Sequence, residues 1–413
     1  MRARVRIADV ADRLCAEALL RADGVQVADG GHADLLVVDE WTPEQHPEVV
    51  AARRQGTPVT VLAELVLRRA RGPVVGVTGT AGKTSTCRAL EQLLRSAGRE
   101  VAVSSTARSS NAWPDHSLAD GCGPEVVTIA ELTSTHLCHM REVHPDVAVV
   151  TLIRPDHVEL HGSLAAYVAA KRRLVEDLDA GDWIVLPADD PATCAALGDV
   201  PARALWFGDA APDAREGVFA RGEEMVIRWS GAETAFAAPV RGTALRAAMA
   251  AAAAALALGV PPATIRRATA VPAAVPHRLR PVPGPRGITV YDDTMAATPL
   301  KAHAAMREMP PGPVVAVIGG DDALSGPPVH ASPEEDDALA AALADMRQRA
   351  DVVVAFGPAH RRITAVIPVD VVAGAIEDAL DAAMAACPDG GAVLVSPMFP
   401  MRPAEREHVA TLG

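Results

Sequence analysis

The sequence predicts an α/β protein of three domains: a small amino-terminal α/β domain, a larger central domain around a mostly parallel sheet, and a Rossmann-like carboxyl-terminal domain. A length of 413 residues suits two or three domains. Apolar strand-like runs alternate with helix-like segments over most of the chain, which is typical of mostly parallel sheets. A loop rich in Gly and Thr stands between one such strand and its helix, at residues 79–84.

The amino-terminal domain is predicted over residues 1–71. It carries two short strand-like runs at 33–40 and 57–62, and the segment between them, 46–56, has a helical pattern. This arrangement indicates a small α/β unit.

The central domain is predicted over residues 72–275. An apolar strand leads into the Gly/Thr loop and an amphipathic helix, and further strands are predicted at 101–105, 125–132, 147–153 and 182–187. The Ala-rich run 247–260 predicts a buried helix, since its 14 residues are too few to span a bilayer. A segment rich in Pro and Arg, 271–287, interrupts the helical pattern and marks the second boundary.

The carboxyl-terminal domain is predicted over residues 276–413. Strands at 288–293, 313–320, 351–357 and 392–397 alternate with helices at 299–308, 333–349 and 374–386. Four strands with helices between them predict a doubly wound, Rossmann-like unit.

The composition excludes several classes of protein. Lys and Arg together number 39 against 52 Asp and Glu, a net charge of −13, which argues against nucleic acid or an anionic membrane as the main partner. The six cysteines are scattered without a CxxC pair, which is typical of free thiols in a reducing compartment. With no apolar signal segment at the amino terminus, the sequence predicts a soluble cytoplasmic protein.

Lysine is unusually rare in this chain. Only Lys83, Lys171 and Lys301 occur beside 36 arginines, and Asn111 is the only asparagine. Arg replaces Lys wherever charge alone suffices, so a remaining lysine is a candidate for a role that needs a compact amine. Each of the three is therefore a candidate for chemistry.

The Gly/Thr loop predicts a nucleotide-phosphate site. Backbone N–H groups of a Gly-rich turn and of the following helix bind phosphate, a Lys reaches the terminal phosphates, and the next hydroxyl binds Mg²⁺. The residues that would do so are Gly79, Thr80, Ala81, Gly82, Lys83, Thr84 and Ser85. The position five before Gly82 is Val77, which departs from the strict GxxxxGK[ST] pattern.

Several motifs, in order along about 320 residues, resemble those of the Mur ligases, ATP-dependent enzymes that add amino acids to the peptidoglycan precursor. The loop GVTGTAGKTST resembles that family's GxTGTNGKT, and LIRPDHVELHGSLAAYVAAKRRL resembles its DHxDxHGSxxxYxxAK segment. Further matching segments are AELTSTHL, PADDP, PHRLR, YDDTMAATP and VLVSP. The short first domain and the sequence VIGGDD resemble the branch that adds D-glutamate.

The resemblance implies a reaction and a set of site residues. ATP would convert a carboxylate to an acyl phosphate, which an amine then attacks, while Mg²⁺ and cationic side chains neutralise the accumulating charge. Thr84 and Glu131 would hold one Mg²⁺, and His157 and Lys171 a second. Lys171 would be carbamylated by CO₂, because only a carboxylate-like oxygen, and not an ammonium, can bind Mg²⁺.

Two further residues carry roles implied by the resemblance. Arg278 would contact the γ-phosphate, and Asp293 would contact the ATP ribose from the third domain. Together with Lys83, Glu131, His157 and Lys171, Arg278 completes the predicted catalytic set.

The chain departs from the family pattern where substrates and adenine bind. The adenine-side HNxxN pattern falls on GTALRAA, 242–248, which has no asparagine. Met295 replaces the lysine of DDSKATN, and Asp321 and Asp322 stand where the D-glutamate branch carries a lysine. Arg402 is a candidate replacement for binding a carboxylate. The first domain lacks an evident Gly-rich loop for a UDP group.

These observations leave three hypotheses. The leading one is an ATP- and Mg²⁺-dependent ligase that joins an amino acid or amine to a non-standard carboxylate. The second is the D-glutamate-adding ligase with drifted pockets, and the third is a catalytically degenerate nucleotide-binding partner protein. Small molecules are the expected partners, neither nucleic acid nor a membrane is expected, and a monomer is the working expectation.

Overall fold

The computed structural model describes residues 4–8, 13–28, 33–104, 123–156, 158–209, 215–271, 273–322 and 333–412. The chain divides into two compact units, Met1–Ala274 and Val275–Gly413. Both are α/β with mostly parallel sheets, so the predicted fold class is confirmed. The first unit contains two separate sheets, and the division into three domains stays a prediction.

The first sheet is small and parallel. Its strands follow the order β2-β1-β3-β4 and are β1 Arg4–Ala8, β2 Gln26–Ala28, β3 Leu35–Val38 and β4 Val59–Val61. The helices are α1 Arg13–Ala22, α2 Pro47–Arg54 and α3 Leu62–Leu67. The predicted strands β3 and β4 are present. Strand β1 was not predicted, because its five residues alternate arginines with the buried Val5 and Ile7 and give only a short apolar signal.

The second sheet has nine strands and positions the Gly/Thr loop. Its order is β13-β12-β11-β10-β9-β8-β5-β7-β6, parallel from β6 to β11 and antiparallel beyond. The bounds are β5 Val74–Thr78, β6 Val101–Ser104, β7 Val127–Glu131, β8 Val147–Val150, β9 Trp183–Pro187, β10 Arg203–Gly208, β11 Gly217–Arg221, β12 Glu224–Trp229 and β13 Ala232–Ala237. Strand β5 lies between β7 and β8, so the strand order reverses beside it, where ligands of open α/β sheets bind.

The helices that accompany the nine-stranded sheet are mostly short. They are α4 Lys83–Ser96, α5 Ser134–Leu137, α6 Val158–His161, α7 Leu164–Arg172, α8 Pro191–Leu197, α9 Gly242–Ala257 and α10 Pro262–Thr269. The predicted buried Ala-rich helix is confirmed as α9. Its alanines at 250–255 are fully buried in one core cluster with Leu90 and Leu94 of α4, because small side chains let the two helices approach closely.

The antiparallel extension β11-β12-β13 was not predicted. Its strands are joined by tight turns in which Gly222, Ser230 and Gly231 adopt positive φ. Strand β13 is half exposed, so its apolar pattern is too weak to mark it in the sequence.

The second unit is a doubly wound sheet of order β14-β15-β19-β16-β17-β18. Its strands are β14 Arg280–Pro283, β15 Thr289–Asp292, β16 Val314–Gly319, β17 Val352–Phe356, β18 Val371–Ala373 and β19 Ala392–Met398. The helices are α11 Pro299–Arg307, α12 Pro333–Arg349, α13 His360–Thr364, α14 Ile376–Ala386 and α15 Pro403–Ala410, with one 3₁₀ turn at Pro285–Gly287. Two buried clusters, one containing Ile318 and the other Val317, place cores on opposite faces of this sheet. No helix in the described part of the chain has the length and apolar character needed to cross a membrane.

Candidate functional site

The loop after β5 is shaped by two glycines. Gly79 has φ +145° and Gly82 has φ +86°, backbone conformations that residues with a side chain rarely adopt. A Cβ at Gly79 would lie 2.0 Å from the Thr151 Oγ1 and 3.0 Å from the backbone of Leu152. The loop therefore packs directly on the segment that follows β8, and Gly82 starts α4.

Two of the three lysines converge on one carbonyl oxygen of this loop. Lys83 Nζ donates to Gly79 O at 2.7 Å, and Lys171 Nζ donates to the same oxygen at 3.1 Å. Lys171 is buried, with only 2% of its surface exposed, and its ammonium lies 4.8 Å from the centre of the Tyr167 ring. Two ammonium groups at one carbonyl concentrate positive charge beside a loop suited to phosphate.

Hydroxyl groups hold the loop against its surroundings. The Thr80 hydroxyl bonds Tyr167 OH at 2.6 Å and Arg154 O at 2.9 Å, and the Thr151 hydroxyl donates to Ala81 O at 2.6 Å. The backbone N–H of Thr80 donates to Leu152 O at 2.6 Å. Because Tyr167 lies one helical turn before Lys171 on α7, one helix fixes both the loop and the lysine.

Thr84 and Glu131 meet beside the loop. The Thr84 hydroxyl lies 3.0 Å from each oxygen of the Glu131 carboxylate, and both side chains are buried. Thr84 is in the first turn of α4 and Glu131 ends β7, so neighbouring parallel strands bring the two together. A hydroxyl and a carboxylate are the hard oxygen donors that Mg²⁺ prefers, so this pair fits the ion.

The predicted site residues of the first unit that the structure describes therefore gather at one end of the nine-stranded sheet. Ala81 lies in the same loop, and Ser85 follows Thr84 on α4. His157 lies outside the described residues. Lys171 as an ammonium does not fit a metal-ligand role, and it fits one only as its carbamate.

Sequence reasoning missed a contact that ties the first sheet to this site. His136 Nε2 bonds Glu40 Oε2. Burial alone would raise the pKa of the Glu40 carboxyl. The charge of His136 and the hydrogen bonds from His136 and Trp41 together outweigh burial, so the pKa is lowered. His136 also caps α5 through Thr133, two residues after Glu131. The motif AELTSTHL stands out in the sequence, but nothing local points to Glu40 as the partner.

The segment where the family asparagines are absent carries an ion pair instead. Arg246, in the first turns of α9, makes two hydrogen bonds of 2.7 Å to the Asp189 carboxylate and lies 5.3 Å from the Phe207 ring centre. Burial opposes ionisation of Asp189, but the hydrogen bonds and charge of Arg246 and the backbone hydrogen bond from Asp209 together outweigh it and lower the pKa of that carboxyl. Asp190, the second acid of PADDP, caps α8 and pairs with Arg154 at 3.0 Å.

In the second unit, Arg278 and Asp293 lie close enough to interact electrostatically. Asp293 is buried and accepts hydrogen bonds from Ser396 Oγ at 2.8 Å and from Leu279 N at 3.3 Å. Burial raises the pKa of Asp293 from 3.8 to about 7, although the charge of Arg278 opposes this rise. The motifs PHRLR, YDDT and VLVSP therefore meet at the end of β15 and β19.

Backbone strain marks the same place. His277 has φ +58° and Leu279 has φ +44°, so both neighbours of Arg278 are in the left-handed region that favours glycine. His277 Nδ1 is 2.9 Å from Asp292 Oδ2, and its carbonyl accepts from Met295 N at 3.2 Å. Such strain is retained where the surrounding contacts over-determine it, which is common at functional sites.

Two arginines contact positions where the chain departs from the family pattern. Arg406 NH1 donates to Met295 Sδ at 3.4 Å, so a guanidinium approaches the position where the family motif has a lysine. Arg402 pairs with Asp321 at 3.4 Å. The acidic loop is thus partly neutralised, and a carboxylate-binding role for Arg402 stays a prediction.

Comparisons with known proteins agree with this geometry. The chain matches the Mur ligase middle domain over residues 77–256 and the Mur ligase glutamate ligase domain over 277–399. It is 32% identical over 378 residues to a UDP-N-acetylmuramoylalanine–D-glutamate ligase of Symbiobacterium thermophilum, covering 88% of this chain and 79% of the relative. The chain belongs to the Mur ligase family. A second D-glutamate ligase, from Koribacter versatilis, is 29% identical over 92% of this chain and 83% of its own.

Solved structures share the fold. A MurF ligase from Thermotoga maritima in complex with ADP matches with a TM-score of 0.66 at 19% identity, over 100% of this chain and 94% of that one. E. coli FolC, in complex with DHPP and ADP, matches with a TM-score of 0.60 at 21% identity, over 84% and 91%. As a member of the Mur ligase family, the protein is an ATP-dependent ligase.

The close packing of Gly79 predicts a specific sensitivity. Gly79→Ala should lower the free energy of unfolding by about 2–3 kcal/mol, through backbone strain and the clash with Thr151, and should weaken ADP binding. Gly98→Ala is the matched control, because Gly98 also has positive φ (+78°) but a Cβ there would meet no atom within 4 Å, so about 1 kcal/mol is expected. Urea unfolding and ADP titration measure both effects. Unchanged ADP affinity in Gly79→Ala would contradict the described loop.

The raised pKa of Asp293 predicts a pH-dependent stability. The unfolded carboxyl ionises near 3.8 and the folded one near 7, so the free energy of unfolding should fall as pH rises between these values. At about 1.4 kcal/mol per pKa unit the loss is about 4 kcal/mol. Asp293→Asn should remove this decline, whereas Asp381→Asn, an exposed position on α14, should keep it. Denaturant unfolding from pH 4 to pH 8 measures the slope, and equal slopes in wild type and Asp293→Asn would refute the assignment.

Proposed function

We propose that the protein forms an amide bond between an amino acid or amine and a carboxylate other than the cell-wall precursor, through an acyl phosphate. The observation that carries the proposal is the meeting of Lys83, Lys171 and the Thr84–Glu131 pair around Gly79. The altered positions Met295 and Asp321 support a changed acceptor site.

The proposed reaction has two steps. A carboxylate oxygen of the first substrate attacks the γ-phosphorus of ATP, the bond from the γ-phosphorus to the bridging oxygen breaks, and ADP leaves. The amine nitrogen of the second substrate then attacks the acyl carbon, phosphate leaves with the acyl oxygen, and the nitrogen loses a proton. Each step transfers charge onto phosphate oxygens, so fixed cations lower both barriers.

The residues of this chain would share that work as follows. The loop N–H groups and Lys83 would bind the β- and γ-phosphates, and Arg278 would contact the γ-phosphate from the second unit. Asp293 would accept hydrogen bonds from the ribose hydroxyls. The Arg246–Asp189 pair stands where the family's adenine-side asparagines are absent, and we propose that it borders the base.

Two Mg²⁺ ions are part of the proposal. Thr84 and Glu131 would hold one, and His157 with a carbamylated Lys171 would hold the second. Bound Mg²⁺ supplies neutralisation of the phosphate oxygens. The burial of Lys171 beside the Lys83 ammonium supports carbamylation, because that reaction replaces a second positive charge by a negative one.

A second candidate function is the addition of D-glutamate to UDP-N-acetylmuramoyl-L-alanine. It is favoured by the names of the relatives, which are D-glutamate ligases at 27–32% identity over most of the chain. The degenerate nucleotide-binding protein is not supported, since the loop, the buried lysine and the Thr84–Glu131 pair are all present.

A turnover experiment separates the candidates. The purified protein is incubated with ATP and Mg²⁺ plus pools of carboxylic acids and amino acids, and phosphate release is measured together with the mass of any new amide. We expect release that depends on both an acid and an amine. Product from UDP-N-acetylmuramoyl-L-alanine and D-glutamate would instead establish the second candidate. Phosphate release without a new amide mass, or no release at all, would refute both.

Carbamylation of Lys171 predicts that arginine cannot replace this lysine. Lys171→Arg keeps the charge but cannot take up CO₂, so turnover should fall by about 100-fold or more, as in Lys171→Ala. Lys301→Ala, which changes the third lysine, is the matched control and should stay near wild type. Rates with and without bicarbonate, and intact mass for one added CO₂, provide the readout. Full activity in Lys171→Arg would show that the residue acts only as a cation.

A further inference from the structure

An open pocket of about 320 Å³ lies in the first unit, away from the phosphate loop. Its walls come from the end of α2, the chain that leads into β4, the segment after α5 and the end of α7. The basic residues that line it are Arg53, His139, Arg141 and Arg173. None of the loop residues 79–85 contributes to its walls.

The pocket is positively charged, although the chain as a whole is negatively charged. The chain carries −13 overall, yet three guanidinium groups line one small pocket. Arg53 is paired with Glu44 at 2.9 Å. Across the described residues Arg141 and Arg173 form no ion pair, and the Arg173 side chain donates only to the Cys138 carbonyl at 3.0 Å.

The remaining walls add no negative charge. Burial raises the pKa of the Cys138 thiol to about 12, so it stays neutral. Glu64, which accepts a hydrogen bond from the backbone N–H of Arg141 at 2.7 Å, does not line the pocket; it pairs with Arg68 at 2.6 Å, which also pairs with Glu142 at 3.2 Å. The pocket therefore keeps a net positive charge.

His139 supplies a second, independent observation. It is only 2% exposed, and burial lowers the pKa of its imidazole, so the ring is neutral. Its Nε2 lies 2.6 Å from Thr42 O and so carries the proton, which leaves Nδ1 as an acceptor. This buried Nδ1 has no hydrogen-bond partner among the described atoms, which is a costly arrangement that a bound group with a hydroxyl could relieve.

We propose that this pocket is a second anion-binding site, for a small ligand that carries phosphate or carboxylate groups. Guanidinium groups bind both classes through paired N–H donors. The volume is at the lower end of the range for small-molecule sites, about 300–1,000 Å³, and fits a compact polyanion. None of the residues that line the pocket has a role in the proposed ligase reaction.

The position of the pocket links it to the segment that carries Lys171. Arg173 is the C-cap residue of α7, two residues after Lys171, and Cys138 is the C-cap residue of α5, which begins three residues after Glu131. A ligand that bridges Arg173 and Arg141 would connect the end of α7 to the segment that follows α5. Its binding would therefore affect the position of α7, the helix that places Lys171 at Gly79.

Calorimetric titration of the full chain tests the proposal. The titrations are made in the Lys83→Ala background, which weakens binding at the Gly/Thr loop, with inorganic phosphate or pyrophosphate in one arm and citrate in the other. We expect saturable binding of at least one probe with a Kd on the order of 1 mM or tighter. Binding in the first arm assigns a phosphate ligand, and binding in the second a carboxylate ligand.

Matched variants locate the binding. Arg173→Gln and Arg141→Gln should each weaken it about tenfold, the loss of one charged hydrogen bond. Arg172→Gln is the control, because this exposed neighbour carries the same charge but does not line the pocket. Arg141 is exposed, so its variant should fold, and circular dichroism checks this. No saturable binding, or equal affinity in Arg141→Gln and Arg172→Gln, would overturn the proposal.

Discussion

The site in the first unit depends on the carbonyl oxygen of Gly79. A side chain at this position is excluded by Thr151, so the loop lies against the segment after β8 and its carbonyl accepts hydrogen bonds from two lysines. Lys83 belongs to α4 and Lys171 to α7, so one oxygen ties together two helices that are far apart in sequence. The positive charge at this point is what makes the loop suited to phosphate groups.

In the second unit the candidate site is built around the buried carboxyl of Asp293. Asp293 is held by Ser396 and Leu279 in an environment that opposes its ionisation, while Arg278 is held between two residues with left-handed backbone. A free-energy cost of this kind is tolerated only where neighbouring contacts fix the conformation. Here those contacts come from His277 and Asp292, so a rigid frame presents Arg278 and Asp293 together.

Candidate site residues were easier to select from the sequence than their contacts. In a chain with 36 arginines, a lysine that remains is informative, and Lys83 and Lys171 do share one acceptor. Contacts that depend on distant partners were not predicted. Tyr167 bonds Thr80, Glu40 bonds His136, and Asp189 bonds Arg246, and in each case the partner lies more than 50 residues away with no local pattern to indicate it. The antiparallel strands β11–β13 were missed because their outer strand has little apolar alternation.

By itself the sequence determined the fold class and the family and located the Gly/Thr loop between a strand and a helix, because alternation of apolar segments and short motifs are properties of neighbouring residues. The tertiary structure alone decided which of those residues meet. It joined Thr84 to Glu131 through adjacent parallel strands, and it assembled the basic pocket of Arg53, Arg141 and Arg173 from three separate segments. The physical reason is that charge, burial and hydrogen-bond geometry depend on distances in space, which follow from strand order and helix packing and not from spacing along the chain.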